Sequence, residues 1–184
     1  MNVVALVGSI RKDSYNQQVA RFMQKRYKES MNIEMLNIKE LPYFDQDLEE
    51  DPPDIVKTFK RKVKEADGVL VVTPEYVHSV PGILKNALDW LSRVDKVMIG
   101  KPVLIVGAST GMLGTVRCQI HLRQIFAAPG LSAKVLPGNE VFIGMVQNKL
   151  DKEGNLIDQP TIDFLDSVVN NFVIFSKREE KRWD

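Results

Sequence analysis

Three short stretches of this chain are apolar at nearly every position: Val3-Val4-Ala5-Leu6-Val7, Val69-Leu70-Val71-Val72 and Pro102 to Val106. All three are dominated by β-branched or other aliphatic side chains, and each leads into a polar loop. A strand with one wet face alternates apolar and polar residues. Uninterrupted apolar runs belong to strands covered on both sides, as in parallel sheets sandwiched between helices. This restricts the architecture more than any other feature of the chain.

The intervening segments supply the helices. The stretch from Tyr15 to Glu29 carries Val19, Phe22 and Met23 on one face. Ile55, Phe59 and Val63 recur every four residues. Leu84, Ala87, Leu88 and Leu91 stand at i, i+3, i+4 and i+7, the stripe of an amphipathic helix. Val116 to Phe126 reads as a fourth helix, and Ile162, Leu165, Val169 and Phe172 mark a last one. Ile33 to Ile38 is a weaker strand, and an acidic, proline-bearing loop follows from Leu41 to Pro53. Ala133 to Leu136 and Val141 to Ile143 read as one broken final strand. Five βα units without a repeat or a second domain predict one α/β domain over residues 1–184. Its expected form is a flavodoxin-like three-layer sandwich with a five-stranded parallel sheet in the order 2-1-3-4-5.

Charge and composition exclude several function classes. With 25 Lys and Arg against 24 Asp and Glu, the formal net charge is +1. No charge excess points to nucleic acid or an anionic membrane. No apolar run approaches the roughly 20 residues that span a bilayer. Val3 to Val7 lacks a basic flank and a small-residue cleavage site, so it reads as a strand rather than a signal peptide. Cys118 is the single cysteine, which fits a reducing cytoplasm, and with only His78 and His121 beside it no metal centre is expected. The mixed run Lys177 to Arg182 reads as a solvated helix end.

In a doubly wound sheet, ligands bind beyond the carboxyl ends of the strands. The first strand ends in Gly8-Ser9-Ile10-Arg11-Lys12-Asp13-Ser14-Tyr15-Asn16. This has neither the spaced glycines of a dinucleotide fingerprint nor the terminal Lys-Ser/Thr of a P-loop. It does offer hydroxyl and amide donors at Ser9, Ser14 and Asn16, charge at Arg11 or Lys12, and the start of a helix, a set suited to a monophosphate. The structural alternative is a surface loop with Ser14 as helix cap. The third strand ends in Thr73-Pro74-Glu75-Tyr76-Val77-His78-Ser79, where the ring and backbone of Tyr76 can meet a flat heterocycle; a proline-stiffened turn is the alternative. The fourth ends in Ser109-Thr110-Gly111, whose small residues allow close backbone approach, or simply form a Gly-bearing turn. Strands 1, 3 and 4 are neighbours in the expected order, so all three loops converge on one crevice.

These loops, together with Ser79-Val80-Pro81-Gly82, Leu84 to Arg93 and Arg117 to Gln124, resemble the NAD(P)H-dependent FMN reductase family. The similarity covers nearly the whole chain and is greatest to the bacterial chromate and quinone reductases, with azobenzene reductases nearby. The resemblance implies non-covalent FMN, with Ser9, Arg11, Ser14, Tyr15 and Asn16 around its phosphate. It places Pro74, Glu75, Tyr76 and Val77 along the ribityl chain and isoalloxazine, and Ser109, Thr110 and Gly111 at the pyrimidine end. It further implies ping-pong hydride transfer from NAD(P)H to a small-molecule electron acceptor such as a quinone, an azo compound, free flavin or chromate. The chemistry lies on flavin N5 and no side chain is assigned a catalytic role. Two departures stand out: Val77 replaces the family's usual Asn, and the fourth-strand loop has fewer glycines. A homodimer or homotetramer is implied too, with Arg117, Glu140 and His78 as candidate contacts. His78 reads as a loop or contact residue, with proton donation as the competing role. His121 reads as a packing or hydrogen-bonding residue, Cys118 as a buried hydrophobe, and Trp90 as core or interface. The alternative class is a flavodoxin-type electron carrier, which the absence of an acidic docking field disfavours.

Overall fold

The computed structural model of the chain describes residues 1–180. Strands β1 (Asn2–Val7), β2 (Asn32–Leu36), β3 (Gly68–Thr73) and β4 (Pro102–Ala108) alternate with helices α1 (Tyr15–Arg26), α2 (Asp54–Glu65), α3 (Gly82–Leu91) and α4 (Val116–Ala127). Two short strands, β5 (Lys134–Val135) and β6 (Val141–Ile143), precede the long helix α5 (Gln159–Glu180). The order is β2-β1-β3-β4-β5 with every pairing parallel, as expected. β5 and β6 both pair with β4, at Pro102–Val103 and at Val106–Ala108 respectively. They are therefore one interrupted edge strand. Pro137, which has no N–H, and Gly138, at φ 66°, lie in the interruption.

Side chains along each strand point alternately into two cores. Val3, Ala5, Val7, Leu70, Val72, Leu104 and Val106 pack against α1 and α5. Val4, Leu6, Val69, Val71, Val103 and Ile105 pack against α2, α3 and α4. This is the three-layer sandwich, and it explains the uninterrupted apolar runs.

The α2 stripe differs from expectation. Ile55 is 36% exposed, while Val56, Phe59 and Val63 are buried. The helix starts at Asp54, and its inward face is set by Val56, Phe59 and Val63 at i, i+3 and i+7, which leaves Ile55 on the rim. Lys60 shares the inward face and carries its ammonium out to the Arg93 carbonyl, 2.9 Å away. Burial pulls the Lys60 pKa down. The charged run begins as the last turn of α5, with Lys177 and Arg178 exposed, whereas Lys181 and Arg182 lie outside the described residues. Among the described residues, no helix is long and apolar enough to cross a membrane.

Candidate active site

The three loops meet at the carboxyl edge of the sheet, and each is fastened to a neighbour. Gly8 extends the β1 ladder by donating to the Val72 carbonyl at 2.9 Å. A Cβ on Gly8 would stand 2.7 Å from Thr73 Oγ1, so the approach of β1 to β3 requires glycine here. Ser14 caps α1, its hydroxyl accepting from the Gln17 N–H at 3.3 Å. The N–H groups of Tyr15 and Asn16 open the helix without intrahelical acceptors, at the positive end of its dipole. Ser9 and Ser14 are buried beside them, and the exposed Arg11 guanidinium lies 5.2 Å from the centre of the Tyr15 ring. These groups suit a dianionic phosphate ester.

Asn16 has a different local role. Its amide donates to the Ala108 carbonyl at 2.9 Å and accepts from the Ala108 N–H at 3.0 Å, both bonds buried. It pins the β1–α1 loop to the end of β4.

Beyond β3, Tyr76 and Ser79 exchange backbone hydrogen bonds of 3.1 and 2.9 Å around a two-residue turn. Val77 and His78 both have positive φ, 50° and 59°, as in a type I′ hairpin. Asn and Gly favour that turn, whereas a β-branched residue is strained in it. The family's usual Asn at this position thus has a conformational role besides its side-chain amide. Val77 sits at the hairpin tip, 99% exposed.

Glu75 turns away from the crevice. One carboxylate oxygen accepts from the N–H groups of Arg117 and Cys118, at 2.9 and 3.0 Å. The other is 3.8 Å from the Arg117 guanidinium. The residue before α4, Thr115, makes no side-chain cap, so Glu75 caps that helix from 42 residues away. A second tie joins Ser79 Oγ to His121 Nδ1 at 3.0 Å.

Beyond β4, the carbonyls of Ser109 and Gly111 accept from the N–H groups of Val146 and Met145, each at 3.1 Å. Ser109 Oγ accepts from the Gly111 N–H, also at 3.1 Å. Beneath this loop a Cβ on Gly107 would fall 1.7 Å from Thr115 Oγ1. On the outer side, a Cβ on Gly111 would meet only Ser109 Oγ at 3.5 Å, so that face is open.

All twelve candidate site residues therefore lie along one sheet edge, but their side chains divide. Ser9, Arg11, Ser14 and Tyr15 remain at the phosphate-like end. Asn16 and Glu75 hold the cradle together. Arg117 pairs with Glu75, and Glu140 with Arg123 at 3.5 Å, within the one chain. His78 is exposed beside the hairpin tip, and Trp90 is buried with its indole N–H on the Pro42 carbonyl at 2.9 Å. Cys118 is fully buried; desolvation, the largest influence, and the charge of Glu75 push its thiol up to about 11 despite the Thr73 hydroxyl. It is protonated at neutral pH and unsuited to nucleophilic work.

Sequence reasoning passed over one wall of the site. Leu41, Pro42 and Tyr43 border an apolar cavity of about 560 Å³ that also touches Gly8, Tyr76 and Pro81. Asn86 and Trp90 of α3 hold that wall through the Pro42 carbonyl, and Phe44 N–H donates to Asn86 Oδ1 at 2.7 Å. The available signal was Asn86 and Trp90 on an otherwise apolar helix stripe, each a polar atom in need of a partner.

A family model described as NADPH-dependent FMN reductase matches residues 1–148. The chain is 44% identical to a quinone reductase of Escherichia coli (strain K12), covering 97% of this chain and 96% of that one. It is 43% identical to the NADH-dependent flavin reductase subunit 2 of Lactobacillus johnsonii, over 98% and 100% of the two chains. Among solved structures, the flavoenzyme NAD(P)H:(acceptor) oxidoreductase FerB from Paracoccus denitrificans superimposes with a TM-score of 0.88 at 31% identity, covering 97% of this chain and 98% of that one. With these likenesses over almost the full length and a phosphate-suited loop at the right strand end, the chain belongs to the NADPH-dependent FMN reductase family and is an NAD(P)H-dependent flavoenzyme.

Proposed function

We propose that the chain passes electrons from NAD(P)H to planar organic oxidants, quinones first, with azo compounds, free flavin and chromate as further acceptors. Bound FMN supplies the hydride-accepting ring and the two-electron store. The protein supplies position and environment. Ser9, Arg11, Ser14 and the first-turn N–H groups at Tyr15 and Asn16 hold the phosphate. The Pro74–Val77 backbone lies along the ribityl chain and ring, and Ser109, Thr110 and Gly111 take the pyrimidine end. Asn16 and Glu75 act by holding their loops in register, so the cradle needs little rearrangement on loading. The observation that carries this reading is the fastening of three strand-end loops around one open edge beside a free helix N-terminus.

The apolar cavity beside Tyr43 and Tyr76 suits a flat ring better than a compact oxyanion. Quinone is accordingly the first choice of acceptor. No side chain near the edge is assigned a nucleophilic or acid–base role. The protein acts in the cytoplasm as a homodimer or homotetramer. Support for association comes from the exposed apolar side chains Val77, Met112, Leu113 and Met145 around the site. Arg117, Glu140 and His78 border that region; Arg117→Ala is expected to lower the oligomer size by light scattering, and an unchanged size removes its role.

The test is the visible spectrum of the purified protein before and after NADPH under argon. A flavin spectrum that bleaches directly, then recovers with benzoquinone, is the expected result. A flavin that stays oxidised transfers the assignment to an electron carrier, and failure to bind FMN at all overturns the site.

A further inference from the structure

A second cavity, of about 320 Å³, lies on the β2 side of the β1–α1 loop, away from the β3 and β4 loops. Four cations line it: Arg11 and Lys12 from the loop, Arg21 from the middle of α1, and Lys39 just after β2; Arg11 and the neighbouring Ser9 also belong to the set proposed for the FMN phosphate, which leaves Lys12, Arg21 and Lys39 outside that set. No carboxylate lines it. In a chain with 25 basic and 24 acidic residues, this is a marked separation of charge.

Several basic side chains elsewhere find partners, and those without one among the described residues, such as Lys25, Lys96 and Lys152, line neither this cavity nor the apolar one. Arg26 pairs with Asp166, Arg93 with Glu49, Lys62 with Glu34 and Lys149 with Asp158. Lys12, Arg21 and Lys39 have no ion-pair partner among the described residues, and Arg11 is engaged only with the Asp13 carbonyl and the Tyr15 ring. Gathering unpaired like charges into a concavity costs repulsion that a polyanion relieves. The three elements involved are brought together only by the fold, and the Gln17 side chain, donating to the Ser9 carbonyl at 3.1 Å, ties α1 to the loop there.

The cavity is not isolated. Ile10 and Lys39 line both it and the apolar cavity that reaches Tyr76. The two cavities are therefore neighbours, a flat, apolar one beside the flavin loop and a cationic one beside β2, close enough for one extended ligand to reach both. A quinone or an azo dye matches only the first, and chromate only the second. FMN also joins a flat ring to a phosphate, but that phosphate is proposed for the α1 N-terminus at Ser14, Tyr15 and Asn16, none of which lines the cationic cavity; of the remaining ligands, a nicotinamide dinucleotide matches both. Resting on the oxidoreductase reading above, we infer that this cationic cavity binds the phosphates of the ADP half of the electron donor, with Arg21 and Lys39 as its specificity-determining residues.

The test is calorimetric titration of the FMN-loaded protein with 2′,5′-ADP, 5′-ADP and nicotinamide mononucleotide. The ADP compounds are expected to bind, more weakly as salt rises. The Arg21→Ala/Lys39→Ala double variant should weaken them about tenfold or more, from the loss of charge-assisted hydrogen bonds. Arg21→Lys/Lys39→Arg should restore much of the affinity. A loss confined to 2′,5′-ADP identifies the 2′-phosphate as the group held; a loss confined to 5′-ADP identifies the 5′-diphosphate; an equal loss for both identifies the 5′-phosphate that they share. In kinetics, the ratio of kcat/KM for NADPH to that for reduced nicotinamide mononucleotide should fall by the same factor. Absence of ADP-compound binding to the FMN-loaded protein, or affinity unchanged in a folded double variant, overturns the inference. If neither donor reduces the flavin, the oxidoreductase reading fails, and the calorimetry still decides the cavity.

Discussion

On the β3–β4 side of the β1–α1 loop, polar side chains are bonded to protein: Asn16 to Ala108, Glu75 to the start of α4, Ser79 to His121. On the β2 side, Lys12, Arg21 and Lys39 line a cavity without a carboxylate. The first arrangement is complete without a ligand and contributes to folding stability. The second leaves charge uncompensated and contributes little to it. Within a few residues of one loop, the chain separates groups that shape a cradle from groups free to attract a ligand. Ser14 belongs to both, since a capping hydroxyl retains a proton to donate.

The comparison breaks if the two sides respond alike to mutation. Asn16→Ala leaves the Ala108 N–H and C=O buried without partners, which costs about 3 kcal/mol at one to two per group. Urea denaturation should show that loss, with FMN content falling in parallel. Arg21→Gln, on the other side, should shift stability by less than about 0.5 kcal/mol. Equal losses for the two would show that the cationic side is also structural.

Alkaline pH probes the floor of the fastened side. The Cys118 thiol, near 9 ordinarily, is raised to about 11 in the fold, foremost by burial. Between those values the unfolded chain has released a proton that the folded chain retains. The thiol's contribution is thus whole below pH 9 and is lost as pH rises through 11. The loss is at most about 2–3 kcal/mol. Urea midpoints at pH 8 and 10.5 should fall more steeply for the parent than for Cys118→Ala, and parallel slopes would dismiss the effect.

Glu75→Gln tests the non-local cap. It keeps an oxygen facing Arg117 and Cys118 but removes the charge, so about 1 kcal/mol should be lost. In a chain of this size that is a Tm decrease of roughly 2–4 °C. A larger fall in FMN affinity than in Tm would mean that Glu75 also shapes the bound state.

The sheet order and the location of the site could be read from the sequence because both follow from periodicity. Val69 to Val72 can only be buried on both faces, and strand-end loops converge wherever neighbouring strands end. The interrupted edge strand was equally visible, from the two apolar pieces Ala133 to Leu136 and Val141 to Ile143. What was not visible depends on distant partners. Glu75 looks like a ligand-facing acid until α4 arrives without its own cap, and Asn16 looks like a free donor until Ala108 is placed opposite. The one-residue error in the α2 stripe has a local origin, since Ile55 and Val56 are equally apolar and the start of the helix decides between them. The cationic cavity escaped notice because Arg11, Arg21 and Lys39 belong to three elements, and the near-zero net charge conceals how they are grouped.

One predicted effect is a gain. Val77 holds φ at 50° with its side chain almost wholly in solvent, so burial does not offset the strain of a β-branched residue in the left-handed region. The hairpin persists because Tyr76 and Ser79 close it and His121 anchors Ser79. Val77→Asn relieves the strain without touching either tie and should raise stability by about 1 kcal/mol. Differential scanning calorimetry should show a Tm rise of a few degrees in the monomer, or at a fixed protein concentration if the chain associates. A fall in Tm together with a smaller oligomer would show instead that the exposed Val77 is covered by a second copy, and that burial at that contact compensates for the strained turn.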